Sequence, residues 1–280
     1  MMNVGIAFEV LENSENIPVG QHAVTGHIIF DVKMCFTRKA KWVLDGHKTA
    51  EPKISTYAGV VSRESVRITL TYAALNGADI TAGDIRNAYL QAPSSQRDYI
   101  VFGPEFGLEN VGKKALTRRA LYGGKTAGRD FWNHLRSCMH HLGFESCKED
   151  PDVWMRAAKN KDGTEYWEYD LLYTYDVLVV SERGEQFFKN EIGKYFELKE
   201  ESIGPPKNYL CGKMSRVVLD NGLTAWYFSL SQYVQTSVKN VKESLTKQDA
   251  KFPARANTLL FSNYCPDIDV TGELQPAEAA

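Results

Sequence analysis

Residues 169–181 read YDLLYTYDVLVVS, and the way this stretch folds decides how the rest of the chain is read. Two apolar runs, 171–173 and 177–180, flank the dipeptide Tyr175-Asp176. Runs rich in β-branched and aromatic residues favour strands, so the pattern predicts a β-hairpin that lifts the Asp176 carboxylate to a sheet surface. One carboxylate on a turn is ordinary turn chemistry. It gains chemical meaning only if a second acid and a phosphate-handling surface converge on it.

Upstream, residues 78–92 (ADITAGDIRNAYLQA) begin extended and put Asp84 where the strand gives out. Carboxylates at the ends of adjacent strands can hold a pair of Mg²⁺ ions, which would activate a 3′-hydroxyl and neutralise charge on a transferring phosphate. Asp170 does not serve as a further ligand, because it lies six residues before Asp176, roughly 20 Å along an extended strand. Lys39, Lys41 and Lys125 are residues able to pair with a triphosphate.

Helical spacing predicts helices over 62–76, capped by Ser62 and ended by Gly77; over 129–142, with Phe131, Leu135, Cys138 and Leu142 on one face; over 187–196; and over 231–245. Strands are predicted at 26–32, 40–44, 99–102 and 153–156, and at 209–219 and 224–228 across Asp220-Asn221-Gly222, an Asn-Gly hairpin signal. Residues 1–25 are weakly patterned and read as a linker remnant. Helices mixed with short, hairpin-joined strands indicate an α+β fold.

Composition narrows the class. The 280 residues are 43% hydrophobic and 24% charged, the balance of a soluble globular protein. No apolar run approaches the ~18 residues of a membrane span, and no basic region leads into an apolar core at the N-terminus. An intracellular location, cytoplasm or nucleus, is expected. The five cysteines are scattered and lack a C-x-x-C, which suits reduced thiols. Cys138, His140, His141 and Cys147 lie close in sequence but match no common zinc spacing. A net charge of −2 does not advertise a nucleic-acid binder. Yet residues 111–136 hold seven basic residues against one acid, and residues 31–53 hold six against three. Such runs can track a phosphate backbone.

Several motifs, in order, resemble the reverse transcriptase domain of Ty1/copia-type retrotransposon polyproteins, from about residue 26 to 245. DIRNAYLQA (84–92) resembles the family's first carboxylate motif. RRALYGGKTAGRDFWNHL (118–135) resembles its L-Y-G-L-K-Q-A-P-R-x-W segment, GFESCKEDPDVW (143–154) its G-F-x-x-x-x-x-D-P segment, LLYTYDVLVVS (171–181) its L-L-Y-V-D-D segment, and SLSQYVQTSVKNV (229–241) its L-S-Q-x-K-Y segment. The resemblance implies a right-hand polymerase with fingers, an antiparallel palm sheet and a partial thumb or connection over 26–250. It also implies a C-terminal linker over 251–280, truncated before ribonuclease H. Asp84 and Asp176 would bind two Mg²⁺ ions, Tyr89 would be the gate beneath the incoming sugar, Lys39 or Lys41 would contact the triphosphate, and Lys125 would help to shape the nucleotide pocket. The implied partners are dNTPs, an RNA or DNA template with primer, and other polyprotein domains. Two residues depart from the family pattern: Gly128 stands where Pro is usual, and Tyr175 stands where the first of two adjacent aspartates belongs. A neutral phenol with an ordinary pKa near ~10 cannot replace a carboxylate at a metal site. Weak or absent polymerase activity is therefore expected, the alternative being a non-catalytic remnant that at most binds nucleic acid.

Overall fold

The structure is a computed structural model that describes residues 7–12, 15–32, 38–49, 51–160, 162–210 and 212–247. Cys35, Cys211, Cys265 and the linker expected over 251–280 lie outside the described residues. The chain divides into two compact units, Met1–Phe228 and Ser229–Ala280.

In chain order the strands are β1 (Phe8–Val10), β2 (His22–Ala23), β3 (Gly26–Val32) and β4 (Arg38–Leu44). Helix α1 (Arg63–Leu75) leads to β5 (Ile80–Asp84), β6 (Asp98–Val101) and β7 (Lys114–Thr117). Helix α2 (Ala127–His141) precedes β8 (Glu145–Ser146), β9 (Val153–Lys159), β10 (Glu165–Tyr173) and β11 (Asp176–Val180). After these come β12 (Asn208–Tyr209), β13 (Gly212–Val218), β14 (Thr224–Ser229) and α3 (Ser231–Lys247). This is a mixture of helices and largely antiparallel sheets, the α+β class expected from the sequence. No helix among the described residues is long and apolar enough to cross a membrane.

The organising sheet has five antiparallel strands in the order β5-β11-β10-β9-β8. Alternation sends successive side chains to opposite faces, and each face is covered. Leu171, Leu178, Val180 and Ile80 meet Val66, Leu70 and Ala73 of α1. Leu172, Val177, Val179 and Trp154 meet Phe131, Leu135 and Met139 of α2, with Phe187, Phe188 and Ile192. Ser62 caps α1 by accepting from the Ser65 amide. The Asp-Pro-Asp turn ties that cap to the sheet, since Asp150 accepts from the Ser62 amide at 2.9 Å and from Ser65 Oγ at 2.6 Å. Gly83 is required in β5 because a Cβ there would lie 2.5 Å from the Phe188 ring.

The outer edge of β5 is not bare. Residues 197–204 run beside it as a strap, bridging Ile85 to Leu198 and Ala82 to Gly204. Ala82 and Gly204 exchange backbone hydrogen bonds of 2.8 and 3.1 Å. Covering an edge in this way removes a template for intermolecular pairing.

Three segments differ from the sequence reading. Residues 1–25 are not all linker: β1 pairs with β7 and β2 pairs with β6. Phe8 is buried edge-on to Trp42, Phe102 and Phe106, and strands of two or three residues are too short to show a period. Residues 187–196 are not a regular helix. A wide turn over Phe187–Glu191 gives way to a tight one over Ile192–Lys194, where a Cβ at Gly193 would lie 2.4 Å from the Phe188 carbonyl oxygen. The apolar spacing still buries Phe187, Phe188, Ile192 and Phe196. The run 209–219 breaks at Leu210, whose φ is 47°, so that β12 folds back on β13.

In the second unit, α3 carries Val234, Val238 and Val241 at helical spacing.

Candidate active site

The opening hairpin forms as its pattern predicts. Tyr173 pairs with Asp176, leaving a two-residue loop of Thr174 and Tyr175. Thr174 has φ 54°, a left-handed conformation that strains a β-branched residue. On its other side β11 pairs with β5, and the register sets Asp176 directly opposite Asp84. Opposed residues of an antiparallel pair share a face, with Cβ atoms about 5 Å apart. The structure therefore brings the two sequence-predicted acids together. Asp170 points away from them: it pairs with Val179 and Trp154 on the α2 side of the sheet.

The acids open on a cleft of about 530 Å³ lined by Tyr173, Tyr175, Ser202, Asn208 and Tyr209. Burial and the neighbouring Asp84 charge push Asp176 up to about 6, against the opposing pull of Lys199. Asp84 Oδ2 is ion-paired with Lys199 Nζ, while Asp84 Oδ1 is buried without a hydrogen-bond partner. Tyr209 is buried beneath the cleft and its hydroxyl has no partner either. Burial, then the charges of Asp176 and Tyr173, raise its pKa.

Next to the acids stands an aromatic column. Past Asp84 the chain turns through Asn87 (φ 45°) into one helical turn, Ala88–Gln91, which carries Tyr89. Tyr89 leans on Tyr122 with ring centroids 4.7 Å apart, and Lys41 Nζ caps the Tyr122 ring at 3.4 Å. Burial, then the charges of Tyr175, Tyr89 and Asp84, push Tyr122 up to about 12. Desolvation and nearby Lys39 lower the Lys41 pKa. Tyr122 and Lys199 are the residues that sequence reasoning missed. Tyr122 lies within a segment already singled out, but its stacking partner is 33 positions earlier in the chain. A Cβ at Gly128, the second departure from the family pattern, would sit 3.8 Å from the Tyr89 hydroxyl.

The other predicted site residues fall elsewhere. Lys125 Nζ donates to the Thr49 carbonyl at 2.8 Å and to Glu51 at 2.7 Å, so it is engaged with the 49–51 segment. Lys39 is exposed on β4. Much of the 111–136 basic run is engaged internally: Arg118 with Glu9, Arg119 with the Gln91 carbonyl, Arg136 with the Pro151 carbonyl. Cys138 is buried on α2, where burial pushes its thiol up to about 11.

The donor set at the turn is two carboxylates, one of them already paired with an ammonium, beside a phenol ring. Among the described residues no group of three or more His, Cys, Asp or Glu side chains is gathered for a metal. Mg²⁺ demands near-ideal octahedral oxygen coordination, and two such ions need more anionic ligands than this turn offers. The residues present do not fit a two-ion centre.

A search of curated proteins gives no match to the chain. A family model described as "Reverse transcriptase (RNA-dependent DNA polymerase)" matches residues 7–251. The match spans the five-stranded sheet, the paired acids and the aromatic column, and the chain belongs to the Ty1/copia-type reverse transcriptase family.

Proposed function

We propose that this chain is an RNA-directed DNA polymerase domain by descent, with palm, fingers and the start of a thumb over residues 26–250, whose nucleotidyl transfer is weak or absent. The observation that carries this reading is the register that sets Asp176 opposite Asp84, with Tyr175 at the loop position where the first of two adjacent aspartates is expected. In this reading Asp84 and Asp176 are the remaining catalytic acids and Tyr89 is the sugar gate. Lys39, Lys41 and Lys125 are the nucleotide-side cations, and an RNA or DNA template with primer and dNTPs are the partners. The family's chemistry uses divalent metal ions, and the loss of one carboxylate removes transition-state stabilisation at about tenfold in rate for each ~1.4 kcal/mol.

Primer extension on an RNA template with Mg²⁺ and dNTPs tests the reading. The chain as it stands should extend poorly or not at all. Tyr175→Asp should restore measurable extension, and a further Asp84→Ala should abolish it. Robust extension by the unaltered chain would overturn the impairment. The Lys199–Asp84 ion pair favours a second reading, a non-catalytic remnant that binds primer–template. Salt-dependent duplex binding with no extension by the Tyr175→Asp protein would select it.

A further inference from the structure

Lys199 reaches Asp84 from the strap, and the strap is fixed there by backbone bonds rather than by the lysine itself. The Lys199 amide donates to the Asp84 carbonyl at 2.9 Å. The Asp84 amide donates to Ser202 Oγ at 2.9 Å, and Ser202 Oγ donates back to the Lys199 carbonyl at 2.6 Å. Two residues further along β5's continuation, the Arg86 amide donates to the Glu197 carbonyl at 2.9 Å, and the two side chains pair at 3.2 Å. The ammonium is thus delivered to one carboxylate by a short, stitched segment. It also faces the Tyr175 ring, whose centroid lies 6.0 Å from Nζ, at the outer range of a cation–π contact.

Two carboxylates directly opposite on neighbouring strands repel one another. Something has to offset that repulsion, and in this fold the cation in place is covalently part of the chain. The strap holds Lys199 on Asp84 Oδ2, and a divalent ion approaching Asp84 meets a fixed positive charge within a few ångströms. We propose that Lys199 is a built-in counter-cation, an autoinhibitory contact that neutralises Asp84 and weakens divalent-metal binding at the Asp84–Asp176 pair. This rests on reading those two residues as the family's acid pair. It goes further by giving the unaltered chain a specific cause of weakened metal binding, separate from the ligand missing at Tyr175.

The test is Mn²⁺ binding to the full chain, read from the loss of the free-ion electron paramagnetic resonance signal. Lys199→Met should bind Mn²⁺ about tenfold or more tightly than the unaltered chain, and adding Asp84→Asn should remove the gain. Lys199→Arg, which keeps the charge, should leave affinity at the unaltered level. A Lys199→Met protein that binds Mn²⁺ no better than the unaltered chain would overturn the inference. A second measurement needs no variant to fold: amine labelling of the unaltered protein, mapped by mass spectrometry. Lys199 should label several-fold more slowly than the exposed Lys194 and Lys207, and labelling at their rate would also overturn it. The two proposals fail separately. A gain of Mn²⁺ affinity in Lys199→Met with no extension by Tyr175→Asp counts against the polymerase reading alone. Restored extension with no gain in Mn²⁺ affinity counts against the counter-cation alone.

Discussion

Asp170 and Asp176 lie on the same hairpin and face opposite sides of the sheet. The two-residue loop pairs Asp170 with Val179 and Asp176 with Tyr173, so strand alternation puts the first acid under α2 and the second in the cleft. Asp170 is fully buried, and neither of its carboxylate oxygens has a hydrogen-bond partner. The cross-strand Trp154 indole N–H is likewise without one. Burial, reinforced by the charges of Glu168 and Glu191 and opposed by Arg156, raises the Asp170 pKa well above the usual carboxylate range. The folded state therefore holds this proton where the unfolded chain has released it. Its stability is greatest below the unfolded value near ~4 and falls as pH rises towards the folded value. Asp170→Val should stabilise the domain by about 2 kcal/mol near neutral pH. The gain should be smaller at pH 4.5 than at pH 8 in urea unfolding. An equal gain at both pH values would mean that Asp170 is not held protonated by the fold.

Among the elements, what the sequence disclosed and what it hid divide along the range of the interactions. The helices over 63–75 and 127–141, the opening hairpin and the Asn-Gly hairpin follow from spacing, caps and turn residues that act within a few positions. The joints between elements depend on contacts that no window can contain. Arg156 is the clearest of these. From β9 it donates to Glu168 on β10 at 2.7 and 3.1 Å, to Glu191 at 2.8 Å and to the Leu142 carbonyl at the end of α2 at 2.8 Å, while stacking on Phe144. Glu168 is buried and also receives Ser181, Tyr166 and Arg183. Removing one partner of a buried pair costs more than the pair is worth, because the other charge stays desolvated. Arg156→Leu should destabilise by about 3 kcal/mol, moderated by Arg183, which remains on Glu168. Adding Glu168→Leu should recover most of that loss, and a double variant no more stable than Arg156→Leu alone would show that the network does not act through the Glu168 charge. The strap is a second long-range joint. Leu198 and Lys199 lie more than a hundred residues from the strand they cover, which is why Lys199 left no signal in sequence while the strand acids did.

Over the whole molecule, a basic stretch in sequence is not the same as a basic surface. The run 111–136 counts seven cations against one acid, a pattern that by itself suggests a track for a phosphate backbone. Folding engages several of them within the chain: Lys113 donates to Asn110, Lys125 to Glu51 and Thr49, Arg136 to Pro151, and Arg118 pairs with Glu9. On the hairpin of β3 and β4, Lys41 caps Tyr122 while Arg38 and Lys39 stay exposed. Cations paired within the chain, on a molecule of net charge −2, are less available to displace counterions. Each phosphate neutralised on duplex DNA contributes about 0.9 to the slope of log affinity against log salt. Fluorescence anisotropy with a labelled primer–template should therefore give a slope shallower than about −4. Replacing Arg38 and Lys39 together by glutamine should flatten that slope by up to about 2, whereas replacing Arg118 and Lys125 should change it little. A steep slope that survives the hairpin replacement, and falls instead with Arg118 and Lys125, would mean that nucleic acid breaks these internal pairs on binding and that the sequence run, not the folded surface, forms its track.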